Sequence, residues 1–475
     1  MSAWRRLAAV GVIGAIAAAL VAVDRRDPEP VEVVFGSATA PVQPVAPTGD
    51  ALTTVWFCPG IPADADGSAS GTVAVLNPSE VAMTGSVTFV PFEADPVVAP
   101  IEVAPRSRTE LRPPMAARFV AVQVEVFGTN AVVEQTTVSR AGTSLTPCAS
   151  AASPTWYAPD GTTTADAQLT LLVWNPFPDE AIVDIGFATE EGTRTPQALQ
   201  GYVVPARTLR LVDVDQAVQR NELVATSVEA RSGRVVVGRY QTHRSLRRGL
   251  VAGLVSPSPG TTWLFPGGDK GEAAVERIVI LNPGDDDAEV DVTLYPADPA
   301  AALVEPISLP VAAGGVEVVD ISATDFVPDG VHSLQVTAEN GAPIVVERIL
   351  DRGQVSGNIG RATTSQPGSL LTGGRWFLPS SPVPGSGYVV TVANATGTEL
   401  RVTLAAIGPA GAVAVAGFDQ VVLPAAGTLR LDLSGNPATA SPLVVEADGP
   451  VAVDRLVIPP GEGTGATAAL AIVQG

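Results

Sequence analysis

After Arg277 the chain runs Ile-Val-Ile-Leu to Leu281, and a few residues further on Val290, Val292 and Leu294 alternate with Asp291 and Thr293. The first pattern predicts a central strand covered on both faces, the second a strand with one wet face. Asn282, Pro283, Gly284 and the aspartates 285–287 break the two apart, because asparagine favours a local turn and proline withdraws a ladder donor. The alternation recurs at Val87 and Phe89, at Val183 and Ile185, and at Val402 and Leu404. A hairpin strand follows, most plainly in the identical Thr-Leu-Arg-Leu runs 208–211 and 428–431. Two strands then meet around a glycine, Val228 to Gly233 into Val235–Val237 and Val445 to Gly449 into Val451–Val453. One more strand closes each unit, such as Gly249–Val255 or Ala466–Ile472. No segment carries a helical period, so six or seven short strands per unit predict an antiparallel two-sheet sandwich.

The unit repeats. Trp56, Trp156, Trp263 and Trp376 each precede a proline by three positions (Pro59, Pro159, Pro266, Pro379), and about twenty residues later an apolar run ends at Asn77, Asn175, Asn282 and Asn394. A period near 100 residues is too long for a propeller blade or a helical solenoid and matches one small domain used four times. The expected fold is all-β, with four tandem Ig-like antiparallel β-sandwich modules after one N-terminal transmembrane helix. The expected modules are 53–152, 153–259, 260–370 and 371–475, strung as independent beads. An exposed indole can stack on a sugar, but a tryptophan at the start of every copy reads better as a plug against the sandwich end or the preceding module. Trp174 stands apart, since the other copies hold Leu76, Leu281 and Ala393 there. The repeat does not account for it.

The Trp-x-x-Pro opening, the Asn-Pro turn and the glycine hairpin ending near arginine resemble an actinobacterial family of envelope proteins of unknown function with one N-terminal hydrophobic segment. The resemblance covers most of residues 53–475. More loosely, the copies look like Ig-like modules of cell-surface proteins, a likeness of fold with little functional weight.

A net charge of −21 argues against nucleic acid, whose phosphates demand a basic face, and against docking on anionic lipid. Residues 7–23 are continuously apolar, with Arg5 and Arg6 before them and Asp24 to Asp27 after, which suits a short span or a long signal-peptide core. Leu20 before Ala22 makes a poor cleavage site. Residues 1–26 therefore read as an uncleaved anchor in the cell membrane with its N-terminus inside, the alternative being secretion after cleavage. Pro28, Pro30, Pro41, Pro44 and Pro47 make 27–52 an extended spacer. Cys58 and Cys148, the only two cysteines, bracket the first copy and in an exported chain pair most simply as a disulfide, worth roughly 4 kcal/mol.

Arg239, Arg348 and Arg455 recur at the end of the Val-rich strand, and Asp213, Asp320 and Asp432 follow the hairpin strand. The first copy has Gln135 and Arg112-Pro113 instead. Loss of both partners together is what structural ion pairs within each copy predict, because one partner alone would strand a charge. Acidic loops at Asp64 and Asp66, Asp179 and Glu180, and Asp285–Asp287 offer oxygens for calcium, yet none has EF-hand spacing. Residues 461–465 lack the helix and Lys-Thr of a phosphate loop. His243 and His332 lie in different copies, and no Gly-x-Ser-x-Gly elbow occurs. No catalytic, cofactor or metal residue is expected. The reading is a non-catalytic, membrane-anchored extracytoplasmic scaffold, spacer or partner-binding array with an envelope protein or glycan as partner, the alternative being a carbohydrate-binding accessory protein of envelope glycan metabolism.

Overall fold

The computed structural model describes residues 43–47, 52–244, 247–271, 274–298, 304–353, 362–460 and 465–475. The anchor 1–26 and most of the spacer 27–52 lie outside the described residues. Among the described residues, no helix is long and apolar enough to cross a membrane.

The chain is nearly all strand, in antiparallel sheets. Residues 262–367 show the plan. One sheet runs Thr262–Lys270, Gly330–Ala338, Ala288–Pro296, Ile307–Val311; the other runs Val316–Asp320, Ala274–Leu281, Val345–Arg352, Ala362–Pro367. The doubly apolar stretch at Ile278–Leu281 is central in the second sheet, and the alternating strand buries Val290, Val292 and Leu294 in the first. The same two sheets recur in residues 155–254. In the last quarter, Leu443–Ile458 is one continuous strand that pairs into both sheets. In the first quarter, Thr53–Ala63 bends to touch Ala69–Asn77 at its end, and Cys58 is bonded to Cys148.

The recurring tryptophans and asparagines hold this plan together. The four Trp side chains are buried, and three indole N–H groups donate to a backbone oxygen just before the Val-rich strand: Ala131 at 3.0 Å, Val235 at 2.8 Å and Ile344 at 3.0 Å. Trp376 donates to Gly373 at 2.9 Å, as Trp263 also does to Gly260 at 3.3 Å. Each asparagine is fully buried and clamps its own turn. Asn282 Nδ2 donates to Asp286 and Val311 oxygens at 2.8 and 3.0 Å, while Oδ1 accepts from Gly284 N at 3.0 Å. Asn77, Asn175 and Asn394 repeat the pattern with Val81 and Val103, Asp179 and Val204, and Thr398 and Pro424.

The modules are not independent beads; residues 40–475 form one compact unit. Strand alternation supplies the reason. Each plug tryptophan points into its own sandwich, so the next residue points out, and in every copy that residue is apolar: Phe57, Tyr157, Leu264 and Phe377. Phe57 joins the core of the second module, Tyr157 that of the third, Leu264 that of the fourth, and Phe377 that of the first. Four such contacts close a ring. The closing strands Gly142–Pro147, Arg248–Leu254, Ala362–Pro367 and Thr467–Leu470 meet around its axis. Ser144 Oγ bonds Ala252 N and O at 2.9 Å, Leu145 N donates to Thr467 Oγ1 at 2.9 Å, and Arg248 N donates to Thr363 Oγ1 at 3.1 Å. Gly253 permits the closest approach, since a Cβ there would lie 2.0 Å from Thr146 Cγ2.

The end of the supposed spacer also belongs to the ring. Val45 and Ala46 pair in parallel with Val473 and Gln474, and Gln43 Oε1 accepts from Ser369 Oγ, Leu370 N and Leu371 N at 3.1, 2.7 and 3.2 Å. Ala46 is fully buried. The two ends of the compact unit thus seal the first and fourth modules against each other.

Candidate functional site

The strongest chemistry in the molecule lies where one module meets the next. The Val-rich strand of each copy carries two consecutive interface positions, both polar in three of the four copies: Glu134 and Gln135, Gly238 and Arg239, Glu347 and Arg348, Asp454 and Arg455. Neighbouring strand residues point to opposite faces, so one of each pair reaches back and the other forward. Arg239 meets Glu347 of the third module with two bonds of 2.9 and 2.6 Å, and also donates to Asp160 O and to Ser365 Oγ at 3.1 Å. Arg348 meets Asp454 of the fourth at 2.9 Å, where Gln366 Nε2 and Gly267 N add donors at 3.0 and 3.1 Å. Arg455 meets Glu134 of the first, whose other oxygen accepts from Ser380 N at 3.1 Å. Both side chains of that last pair are fully buried. Charges held so deeply persist only because each carboxylate accepts several hydrogen bonds.

The remaining interface, first to second, lacks both charges. Gln135 stands at the arginine position and donates to Gly60 O at 3.4 Å, while the acid position holds Gly238, where a Cβ would lie 2.6 Å from Pro59 Cγ. Apolar contacts replace the pair. Trp174 sits edge-on to Phe57 at 5.6 Å and Phe119 to Tyr240 at 5.1 Å, which gives Trp174 the role that the repeat alone leaves open.

The ion pairs expected inside each copy are corrected: Asp213, Asp320 and Asp432 do not touch Arg239, Arg348 and Arg455. Register explains it. Asp213 lies across from Thr170 and so from Tyr240, Asp320 from Arg277 and Ile349, and Asp432 from Val389 and Leu456, in each case one residue past the arginine. One position turns the aspartate to the opposite face of its sheet. Asp213 instead accepts from Thr170 Oγ1 at 2.9 Å and meets Arg118 of the first module, Asp320 meets Arg277 at 3.5 Å, and Asp432 accepts from Ser434 N at 2.9 Å. The true partners, Glu134, Glu347 and Asp454, directly precede the repeated position. Their signal was the covariation of the two adjacent residues between neighbouring copies.

Around the second-to-third interface, burial pushes Glu347 above the usual carboxylate range despite Arg239. Burial acts the same way on Asp160, yet Arg247 and Arg239 outweigh it and hold Asp160 low. Burial, with Arg247 nearby, drives His243 down to about 3, so it is neutral. Burial also opposes ionisation of Glu276, and His332, 2.9 Å away, together with Arg348 keeps it low. Among the described residues, no group of three or more His, Cys, Asp or Glu side chains is placed to hold a metal. The acidic loop at Asp64 and Asp66 binds Ser68, through Oγ at 2.8 Å and N at 2.9 Å.

Comparisons with solved structures give similarities of low score. A Thermotoga maritima protein, "1070", shares 15% identity over 23% of this chain and 94% of its own, with a TM-score of 0.19. The BSP domain of a biofilm-associated protein shares 8% over 91% of this chain and 98% of its own, TM-score 0.13. A Streptomyces avermitilis α-L-rhamnosidase, solved with L-rhamnose, shares 10% over 78% of this chain and 53% of its own, TM-score 0.13. None of these scores carries an argument about function. No curated protein matches the chain. A family model does match, over residues 114–368, more than half the sequence and the whole of the second module, and by that match the chain belongs to the family of unknown function DUF5719.

Proposed function

We propose that this chain is a non-catalytic scaffold of the cell envelope: four Ig-like sandwiches closed into a rigid ring, tethered through residues 7–23 and presenting its outer surface to a protein or glycan partner outside the cytoplasm. The observation that carries the reading is where the charged chemistry is spent. Arg239, Arg348 and Arg455 each join two modules, so the buried charges serve assembly of a platform. A disulfide in the first module agrees with an oxidising compartment. On this reading a pull on the anchor would act first on Val45–Ala46, which pair with Val473–Gln474.

The test is cell fractionation with a C-terminal tag. The tagged chain should sediment with membranes, resist carbonate extraction, and lose its tag to protease added to intact spheroplasts. A tag protected from protease, or a chain wholly in the soluble fraction of broken cells, would sink the reading.

A second reading rests on a groove of about 650 Å³ between the second and third modules, lined by Asp166, Glu222, Arg244, Arg247 and Arg277. Its volume and mixed polarity suit a short oligosaccharide. Retention of purified cell-wall glycan, lost on replacing Arg277 and Glu222, would favour an accessory glycan-binding role.

A further inference from the structure

A pocket at another interface carries guanidinium nitrogens that the ring's ion pairs do not use. Between the third and fourth modules lies a cavity of about 70 Å³, lined among the described residues by Arg348, Arg352, Arg430 and Arg455 against Asp269 and Asp454. The Asp454 carboxylate is already engaged by Arg348, Gln366 and Gly267. Glu276 Oε2 is engaged by His332 and by Asp269 N, while its Oε1 lies 4.0 Å from Arg348 Nε and accepts no hydrogen bond. The guanidinium groups are not used up. Nη1 of Arg348, Nη1 of Arg352 and Nε of Arg455 are buried without a hydrogen-bond partner, and Arg352 makes no ion pair among the described residues although only 9% of it is exposed.

Arg352 is not demanded by the repeat either. Four residues on from the interface position, the other copies place Ser139, the neutral His243 and Pro459. A buried, unpaired cation is costly, and in a chain of net charge −21 no general excess of arginine explains it. The cavity has the right size for something else. At about 10–15 Å³ per water it holds roughly five to seven waters, which is room for one tetrahedral oxyanion.

We propose that this cavity is an anion site that takes one phosphate or sulfate group, held by the free guanidinium nitrogens of Arg348 and Arg352 and reached past the exposed Arg430 at its rim. Planar guanidinium forks match such oxygens in pairs. The group comes either as the free ion or as the terminal phosphate of a larger envelope molecule, and the chemistry recognised is the same.

Isothermal titration of the full chain in mild detergent, exchanged into chloride buffer, tests it with sodium phosphate, sodium sulfate and glycerol phosphate at matched ionic strength. One equivalent should bind. Arg352→Gln should weaken binding about tenfold or more, the value of one charge-assisted bond. Arg430→Gln, a rim change that leaves the buried network whole, should weaken it about threefold with an unaltered melting temperature in chloride. Binding of inorganic ions alone assigns the free ion, and equal or tighter binding of glycerol phosphate assigns an ester; both uphold the site. No saturable heat with any of the three up to about 10 mM, or equal binding by both variants and the natural chain, overturns it.

Discussion

Replacing Arg239 by Met should cost the ring far more than replacing Arg239 and Glu347 together. The single change removes two bonds of 2.9 and 2.6 Å and leaves the Glu347 carboxylate with one donor, Asp160 N at 2.8 Å. Charge-assisted bonds contribute about 1.5–3 kcal/mol each, so the loss is about 3–5 kcal/mol, the range found when one partner of a buried pair is removed. Glu347→Leu should cost a similar amount, since it strands a guanidinium with only Asp160 O and Ser365 Oγ. The double variant should recover at least about 3 kcal/mol of the sum, because two apolar groups of matching size need no partner. The first-to-second interface, with Gln135 and Gly238, already works this way. Urea unfolding of residues 43–475 at pH 7 supplies the three values. In Arg239→Met the folded Glu347, already pushed up by burial, rises further. A raised carboxylate favours the folded state when protonated, so the defect should shrink as pH falls from 7 towards 5. Single losses that simply add to the double, within about 0.5 kcal/mol, would refute the argument.

His243 titrates at about 3 in the folded ring against 6.5 when free, so the folded state takes up its proton last. The stability this group contributes is present above pH 6.5 and is lost as pH falls towards 3; the gap between the natural chain and His243→Gln should narrow by about 2 kcal/mol between pH 7 and pH 5, and a constant gap in thermal unfolding would count against burial as the cause. Gly253→Ala, whose Cβ would meet Thr146 at φ +149°, should destabilise by about 1–3 kcal/mol, whereas Gly408→Ala, with open space, should stay within about 0.5 kcal/mol. Gln43→Ala removes one oxygen that accepts three hydrogen bonds and should lower stability by about 1–3 kcal/mol and speed proteolysis after residue 47, read by mass spectrometry of the first cleaved peptides.

Local structure was legible because it is written in residue types with local consequences. Val290, Val292 and Leu294 spell a half-buried strand, Asn282 clamps a turn within four residues, and two cysteines leave one pairing. The ring was not legible from the repeat alone, since a hundred-residue period fits a string or a circle. Its traces were there in Phe57, Tyr157, Leu264 and Phe377, apolar on the face opposite the plug tryptophans, which an isolated bead would leave wet. The ion-pair partners were missed for a related reason. Joint loss of two charges in one copy marks an ion pair, but it does not say whether the partner lies in the same copy or the next, and a one-residue register offset points Asp213 and its equivalents away from the arginines. The cavity at Arg352 has no signature in any one segment, because it is assembled from two modules.

Closure of the ring is the claim on which the rest depends, and small-angle X-ray scattering of residues 43–475 tests it most directly. A compact body of this length should give a radius of gyration of about 22 Å. Four sandwiches about 30 Å long, set end to end, would give about 35 Å with a long tail in the distance distribution. A value near 22 Å that Glu134→Leu leaves folded but enlarges would support the ring and its seam; a value near 35 Å for the natural chain would contradict it.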